Sequence, residues 1–242
     1  MLYSGSGYSI IGPGFVGKLI ASQLHVDHSY NRTNLDSLPN LSHDTIILAA
    51  PTGNRIVVNQ DTIRDLDDCT SIVDALKRTQ FNRIVYISTV DVFVESNYGQ
   101  NRLWLEQQIQ QFPNHIILRL PSLCDPSIKK NVLFDLANRQ WLEKVSLESD
   151  IQWYPTNRLA QDITYAIEHN ISELNLVSAP VCNRDIVSKF APDLLKRLGC
   201  NTATPVYYDI KSLNGQYWID NECMWSELEK SFIQLIGDRW AT

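Results

Sequence analysis

The residues whose types and spacing point most directly to chemistry lie near the start of the chain. Gly12-Pro13-Gly14-Phe15-Val16-Gly17 fits G-x-G-x-x-G. It follows a short apolar run, Tyr8 to Ile11, and precedes a stretch in which Phe15, Val16, Leu19, Ile20 and Leu24 form one apolar stripe at helical spacing. Strand, glycine turn and helix in that order suit a pyrophosphate. The first glycine permits the tight turn, the second lets the backbone approach the phosphates, and the third lets the helix pack on the sheet. The helix start at Phe15 and Val16 offers free N–H groups and a partial positive charge. The expected ligand is a nicotinamide dinucleotide.

The 2′ position of such a cofactor offers a second test. NAD binders usually place an acid there, about 20 residues after the first glycine. Here the segment is Tyr30-Asn31-Arg32-Thr33-Asn34, with no acid. Asn31 and Arg32 are therefore read as cofactor-binding, with Arg32 offering a charge-assisted fork to a 2′-phosphate. That favours NADP and still allows NAD. Asp27 lies earlier and Asp36 later, and a shifted register would bring either into play. Ala49 and Ala50, at the end of the next apolar strand, complete the expected cofactor contacts.

Other constellations are weaker. His25 and His28 are spaced for one helical face without a third ligand nearby, and no metal site is expected. There is no H-E-x-x-H, P-loop or G-x-S-x-G. The five cysteines are odd in number, widely spaced and free of any CxxC, which suits reduced thiols in a cytoplasmic setting. Three Asn-x-Ser/Thr matches, at Asn31, Asn40 and Asn170, are read as chance, because Met1 to Gly7 lacks the features of a secretion signal.

The elements that must position the glycine turn follow the same logic. Asp44 to Ala50, Arg83 to Ser88 and His115 to Leu120 are apolar throughout rather than alternating. Helical stretches, Thr62 to Arg78 and Tyr98 to Gln111, separate them. That is the signature of a doubly wound parallel sheet, an α/β Rossmann fold. After residue 125 the pattern loosens. Asn131 to Arg139, Asn157 to Asn170, Ile186 to Leu198 and Cys223 to Ile236 read as helices, and Leu174 to Val177 as a strand. The expected organisation is a cofactor-binding core over 1–165 and a small substrate-side lobe over 166–242, within one continuous domain. At 242 residues the chain needs no staples, and its net charge of −6 argues against a nucleic-acid or membrane surface. No apolar run approaches the roughly 20 residues of a membrane span.

Three further segments resemble the extended short-chain dehydrogenase/reductase family, in its nucleotide-sugar epimerase, dehydratase and reductase branch. They are Ile87-Ser88-Thr89-Val90-Asp91-Val92-Phe93, then Tyr98-Gly99-Gln100-Asn101-Arg102-Leu103-Trp104-Leu105-Glu106 at a helix start, and Leu118-Arg119-Leu120-Pro121-Ser122-Leu123-Cys124-Asp125-Pro126. With the glycine turn the resemblance spans roughly residues 8 to 165. It implies that Tyr98 is the general acid/base and that Thr89 bonds the same substrate oxygen. It also implies that position 102 binds the nicotinamide ribose and supplies a cation, and that Pro121 lines the nicotinamide end. A free tyrosine is a poor base at neutral pH, so a neighbouring cation has to lower its pKa. The chain departs from the family in three ways. Position 102 is Arg rather than Lys, the glycine turn is the shorter form, and only eight residues separate Thr89 from Tyr98. Arginine keeps the charge but cannot relay a proton as an amine can.

The function implied is an NAD(P)-dependent oxidoreductase, epimerase or dehydratase acting on a nucleotide-activated sugar or similar small polar substrate, with a homodimer allowed. On the substrate side, Lys130 and Asn131 suit a diphosphate or a solvated helix start. Trp153 and Arg158 suit a sugar or base, or ordinary core packing. The alternative is a catalytically weak NADP-binding sensor or regulator on the same fold, which Arg102 and the short loop favour. Asn31-Arg32-Thr33 also resembles the β-hydroxyacid dehydrogenases, but their long all-helical C-terminal domain does not fit the strand and loop signals of the last 120 residues.

Overall fold

The computed structural model describes residues 7–237; the Met1–Ser6 stretch read above for a leader lies outside them. In chain order the elements begin β1 (Tyr8–Ile11), α1 (Phe15–Gln23), β2 (Val26–Tyr30), β3 (Ser42–Leu48), α2 (Arg55–Gln60), α3 (Thr62–Lys77), β4 (Gln80–Thr89), α4 (Asn97–Ile109) and β5 (His115–Leu120). They continue with β6 (Ser122–Cys124), α5 (Val132–Asn138), β7 (Asp150–Ile151), β8 (Trp153–Pro155), α6 (Leu159–Glu168), β9 (Glu173–Asn175), β10 (Val181–Cys182), α7 (Asn183–Phe190), α8 (Leu195–Leu198) and α9 (Asn221–Ile236). They gather into two compact units. One comprises the chain up to Leu120 together with Asn157–Leu174, and the other comprises Pro121–Thr156 with the residues from Asn175 onward.

The first unit is built on a sheet of order β2-β1-β3-β4-β5-β9, in which β1 pairs in parallel with β2 and β3, and β4 in parallel with β3 and β5. This is the doubly wound α/β sheet expected. Its continuous apolar runs bury both faces. Ile11, Ile46, Leu48, Ile84, Tyr86 and Ile117 pack with Cys69, Ile72 and Leu76 of α3 and with Leu105 and Ile109 of α4. The alternate residues Ile10, Ile47, Val85 and Leu118 point to the other face and are equally buried. There α1 and α6 pack on each other and on β1 and β5.

The second unit carries two small sheets, β6 with β8 in parallel and β7 with β10 antiparallel. Helix α5 packs on α9.

Three local readings change, and one strand carries no signal in the sequence. The helix expected over Ile186 to Leu198 breaks into α7 and α8 around Pro192, whose ring and missing N–H cannot continue a helix. The strand expected over Leu174 to Val177 is Glu173–Asn175. Strand β2, Val-Asp-His-Ser-Tyr, is an edge strand with an exposed middle and so lacks the apolar signal that marked the others. His28 lies in β2 and His25 just before it, so the two do not share a helical face. Among the described residues no helix is long and apolar enough to cross a membrane, and no group of metal-binding side chains assembles.

Candidate cofactor-binding and catalytic site

The glycine turn leaves β1 where the sheet reverses direction. The chain runs from β1 outward to β2 on one side and then to β3 on the other. At such a switch point the connections diverge and a crevice opens beyond the carboxyl ends of the strands. The register pairs Ile11 with both Tyr30 and Leu48, which brings Gly12, Asn31 and Ala49 to one level. Gly12 N donates to the Tyr30 carbonyl at 2.8 Å, and Ala49 N to the Ile11 carbonyl at 2.8 Å.

The three glycines divide by cause. Gly12 has φ +93°, and a Cβ there would lie 2.6 Å from the Ala49 carbonyl oxygen. A Cβ on Gly17 would lie 2.2 Å from the Gly12 carbonyl oxygen, because α1 packs directly on the turn. These two are required by the protein itself. Gly14 is different: an added Cβ would meet nothing within 4 Å. Its lack of a side chain keeps open space above the turn. Helix α1 begins there with no side-chain cap and no acid in its first turn. The N–H groups at Phe15 and Val16 and the positive end of the helix dipole are thus left for a ligand. An anionic pyrophosphate fits this cradle.

The register also decides between the acids near the 2′ position. Asp27 lies near the start of β2, whose first residue, Val26, pairs with Tyr8, and Asp27 pairs with His25 at 3.1 Å. Asp36 sits in the following turn near Arg78, at 3.6 Å. Asn31 and Arg32 are the residues that leave the strand beside Gly12. Asn31 Oδ1 turns back to Thr33, accepting from its N at 2.8 Å and from its hydroxyl at 2.7 Å. Arg32 projects outward, its side chain 66% exposed, and pairs with Asp68 of α3 at 2.5 Å.

Thr89 ends β4. Its Oγ1 accepts from Asp91 N at 3.2 Å, starting a short 3-10 turn over Val90–Phe93. Tyr98 is the second residue of α4, which Ser96 caps by accepting from Gly99 N at 3.0 Å. A Cβ on Gly99 would sit 2.1 Å from the Asp91 carbonyl oxygen, so α4 lies directly on the Thr89–Phe93 turn. The short Thr89–Tyr98 connection is thereby accommodated. The Tyr98 side chain is buried, with the Arg102 guanidinium 4.6 Å and that of Arg55 6.0 Å from its ring centroid. Arg55 itself pairs with the buried Asp91 at 2.5 Å. Burial raises the Tyr98 hydroxyl pKa, Arg102 opposes that rise, Asp91 adds to it, and Arg55 opposes it in turn.

Arg102, which the resemblance assigns to the ribose, has protein partners. It is 3% exposed and forks onto Asp65 of α3, Nη1 donating to Oδ2 at 2.8 Å and Nη2 to Oδ1 at 2.9 Å. Nη2 also donates to the Thr52 carbonyl at 2.7 Å. The guanidinium is thus committed within the first unit. An arginine makes this fork and a lysine does not, which gives the departure at position 102 a physical reason.

Of the remaining sequence candidates, Ala49 and Ala50 are half-buried beside the turn, and Pro121 is buried where β5 ends. Arg158 starts α6 and lies 3.4 Å from Asp162. In the second unit, Asn131 caps α5, accepting from Phe134 N at 3.1 Å and donating to the Leu123 carbonyl at 2.8 Å. Lys130 is exposed. Trp153 is fully buried, among the largest core side chains.

Sequence reading missed Asp65 and Asp68. A signal for the first was present: Asp65, Cys69, Ile72 and Leu76 recur at helical spacing, so an acid on an otherwise apolar face demanded a buried cation. Asp68 carried none, because its partner lies 36 residues away.

No family model and no curated protein matches the chain. Solved structures do match its fold. RMD from Pseudomonas aeruginosa, complexed with NADPH, superposes with a TM-score of 0.69 at 14% identity, over 98% of this chain and 100% of that one. A dTDP-4-dehydrorhamnose reductase from Clostridium acetobutylicum gives 0.65 at 18% identity, over 95% and 99%. UDP-glucuronic acid 4-epimerase from Bacillus cereus, in complex with UDP-glucuronic acid and NAD, gives 0.62 at 17% identity, over 95% and 98%. At these identities the likeness is one of fold, and the fold of this chain is that shared by these proteins.

Proposed function

We propose that this protein is an NAD(P)-dependent enzyme of the short-chain dehydrogenase/reductase type, acting on a nucleotide-activated sugar or a similar small polar substrate, with NADP preferred over NAD. The observation that carries the reading is the open space over Gly14 at an uncapped helix start, set at the switch point of the sheet. The fold shared with proteins solved with NADPH or NAD supports it. The first unit is read as the cofactor core and the second as the substrate-side lobe.

When bound, the nicotinamide supplies hydride transfer. The protein's own groups do the rest. The amides at the start of α1 bind the pyrophosphate, and Arg32 holds the 2′-phosphate. Thr89 Oγ1 accepts from Asp91 N, which leaves its hydroxyl hydrogen to donate to a substrate oxygen. Burial keeps the Tyr98 hydroxyl protonated at neutral pH, so its first act is to give a proton. Arg102, held by Asp65, acts on Tyr98 through its position beneath the ring, and contact with the ribose is not required of it.

The test is hydride exchange or isomerisation across a panel of nucleotide-sugars, alongside NADP(H) and NAD(H) titration. Turnover of at least one sugar with tight NADP(H) binding is expected. Binding without turnover for any sugar would replace the enzyme by the sensor reading. Absence of binding would remove both.

A further inference from the structure

The structure assigns Asp68 as a residue that sets the choice between NADP and NAD. This rests on the cofactor reading above and goes beyond it, because Asp68 belongs to α3 and lies outside every segment that reading uses. The argument starts from the turn after β2. Asn31 Oδ1 accepts from Thr33, Asn34 Oδ1 accepts from Asn31 N at 2.6 Å, and Asn34 Nδ2 donates to the Ser29 carbonyl at 3.1 Å. These bonds fix the backbone of residues 31–34 and commit Asn31 Oδ1 and both polar ends of the Asn34 side chain to the turn itself. Arg32 is left as the charged group pointing away from the turn, two residues from the carbonyl that receives Gly12 N. Helix α3 packs against the Leu35–Asn40 turn that follows. That contact brings the Asp68 carboxylate to 2.5 Å from Arg32 Nη2.

Two ligand chemistries then compete for one arginine. A 2′-phosphate carries up to two negative charges, so Asp68 opposes it twice, by holding its partner and by repelling it. A 2′-hydroxyl is neutral and can donate to a carboxylate. Asp68 is one-quarter exposed and able to accept such a bond. The strand-end acid that NAD binders carry is thus absent from the sequence after β2, but a carboxylate from α3 stands beside Arg32. The pair lets this protein accept either dinucleotide, with Arg32 favouring NADP and Asp68 limiting that preference.

The experiment measures equilibrium binding of NADP⁺, NAD⁺, 2′,5′-ADP and 5′-AMP by calorimetry, with no turnover required. The proteins are the wild type, Asp68→Asn, Arg32→Ala and the double variant. Asp68→Asn should tighten NADP⁺ and 2′,5′-ADP by about three- to tenfold, as the loss of one exposed ion pair and one like charge allows, and leave or weaken NAD⁺ and 5′-AMP. Arg32→Ala should weaken NADP⁺ by about tenfold or more and spare NAD⁺. The gain from Asp68→Asn should shrink at high salt and vanish on the Arg32→Ala background if it arises from release of Arg32. An Asp68→Asn protein that binds NADP⁺ and NAD⁺ in the wild-type ratio overturns the assignment of Asp68 and leaves the cofactor reading intact. A wild type that binds none of the four probes overturns the cofactor reading itself, and the assignment with it.

Discussion

Removing the carboxylate of Asp65 should cost stability before it costs cofactor affinity. Arg102 and Asp65 are each 3% exposed, and the fork between them is made of two bonds of 2.8 and 2.9 Å. Asp65→Ala leaves the guanidinium in the core without a counter-charge, held by the Thr52 carbonyl, the Tyr98 ring face and a weak contact to the Cys69 sulfur at 3.6 Å. An uncompensated buried charge of this kind costs about 3–5 kcal/mol. For a chain of this length each kcal/mol corresponds to roughly 2–4 °C of melting temperature, so a fall of about 6–20 °C is expected. Arg102→Ala should fall somewhat less, because Asn101 Nδ2 still donates to Asp65 at 2.8 Å. Arg102→Lys keeps a charge but loses the fork, and it too should lose stability. The pair Asp65→Leu with Arg102→Met should recover most of the loss, since apolar side chains of similar size replace buried ion pairs well. The assay is urea and thermal unfolding of the cofactor-free protein, run beside NADP⁺ titration of the same variants. A ribose-binding Arg102 predicts the opposite pattern, with near-normal unfolding and a large loss of NADP⁺ affinity. An Asp65→Ala protein within about 1 kcal/mol of wild type, less than the least cost of an uncompensated buried charge, would refute the reasoning.

Three other outcomes follow from the same geometry. Gly14→Val should abolish dinucleotide binding while the protein unfolds at a near-normal denaturant concentration, whereas Gly12→Ala and Gly17→Ala should lower the unfolding midpoint, since their Cβ atoms would strike backbone oxygens at 2.6 and 2.2 Å. Tyr98→Phe should leave NADP⁺ binding intact and cut turnover by roughly 10²–10⁴, the range for a positioned proton donor; equal rates would remove Tyr98 from the mechanism. Burial pushes the Cys69 thiol up to about 12, above its unfolded value. The stability from keeping it neutral is therefore complete below about pH 8.5 and lost as pH rises toward 12. Part of the alkaline loss of stability should disappear in Cys69→Ala, and thiol reagents at pH 8 should modify the exposed Cys200 while sparing Cys69.

The parts of the molecule legible in the sequence are those whose cause is local. The glycine turn, the apolar runs of β1, β3, β4 and β5, and the helices α1, α3 and α4 each follow from a period or a turn chemistry confined to a few residues. The boundary of β1 and that of β5 coincide with the readings made from the residues alone. Strand β2 was not legible, because an edge strand with three exposed positions carries no apolar pattern. The break at Pro192 was legible in principle, and the periodicity around it masked it.

The candidate site divides in the same way. The sequence by itself determined that a glycine turn opens α1, that an arginine rather than an acid stands about 20 residues after the first glycine, and that eight residues separate a threonine at a strand end from a tyrosine at a helix start. It could not determine which charges meet. Arg102 is separated by 37 residues from Asp65, and Arg32 by 36 from Asp68. Both acids are on α3, three residues apart, and nothing in their spacing names a partner. Only the packing of α3 against α4 and against the turn after β2 closes those pairs. An ion pair is a property of distance and burial, and both are set when the chain folds.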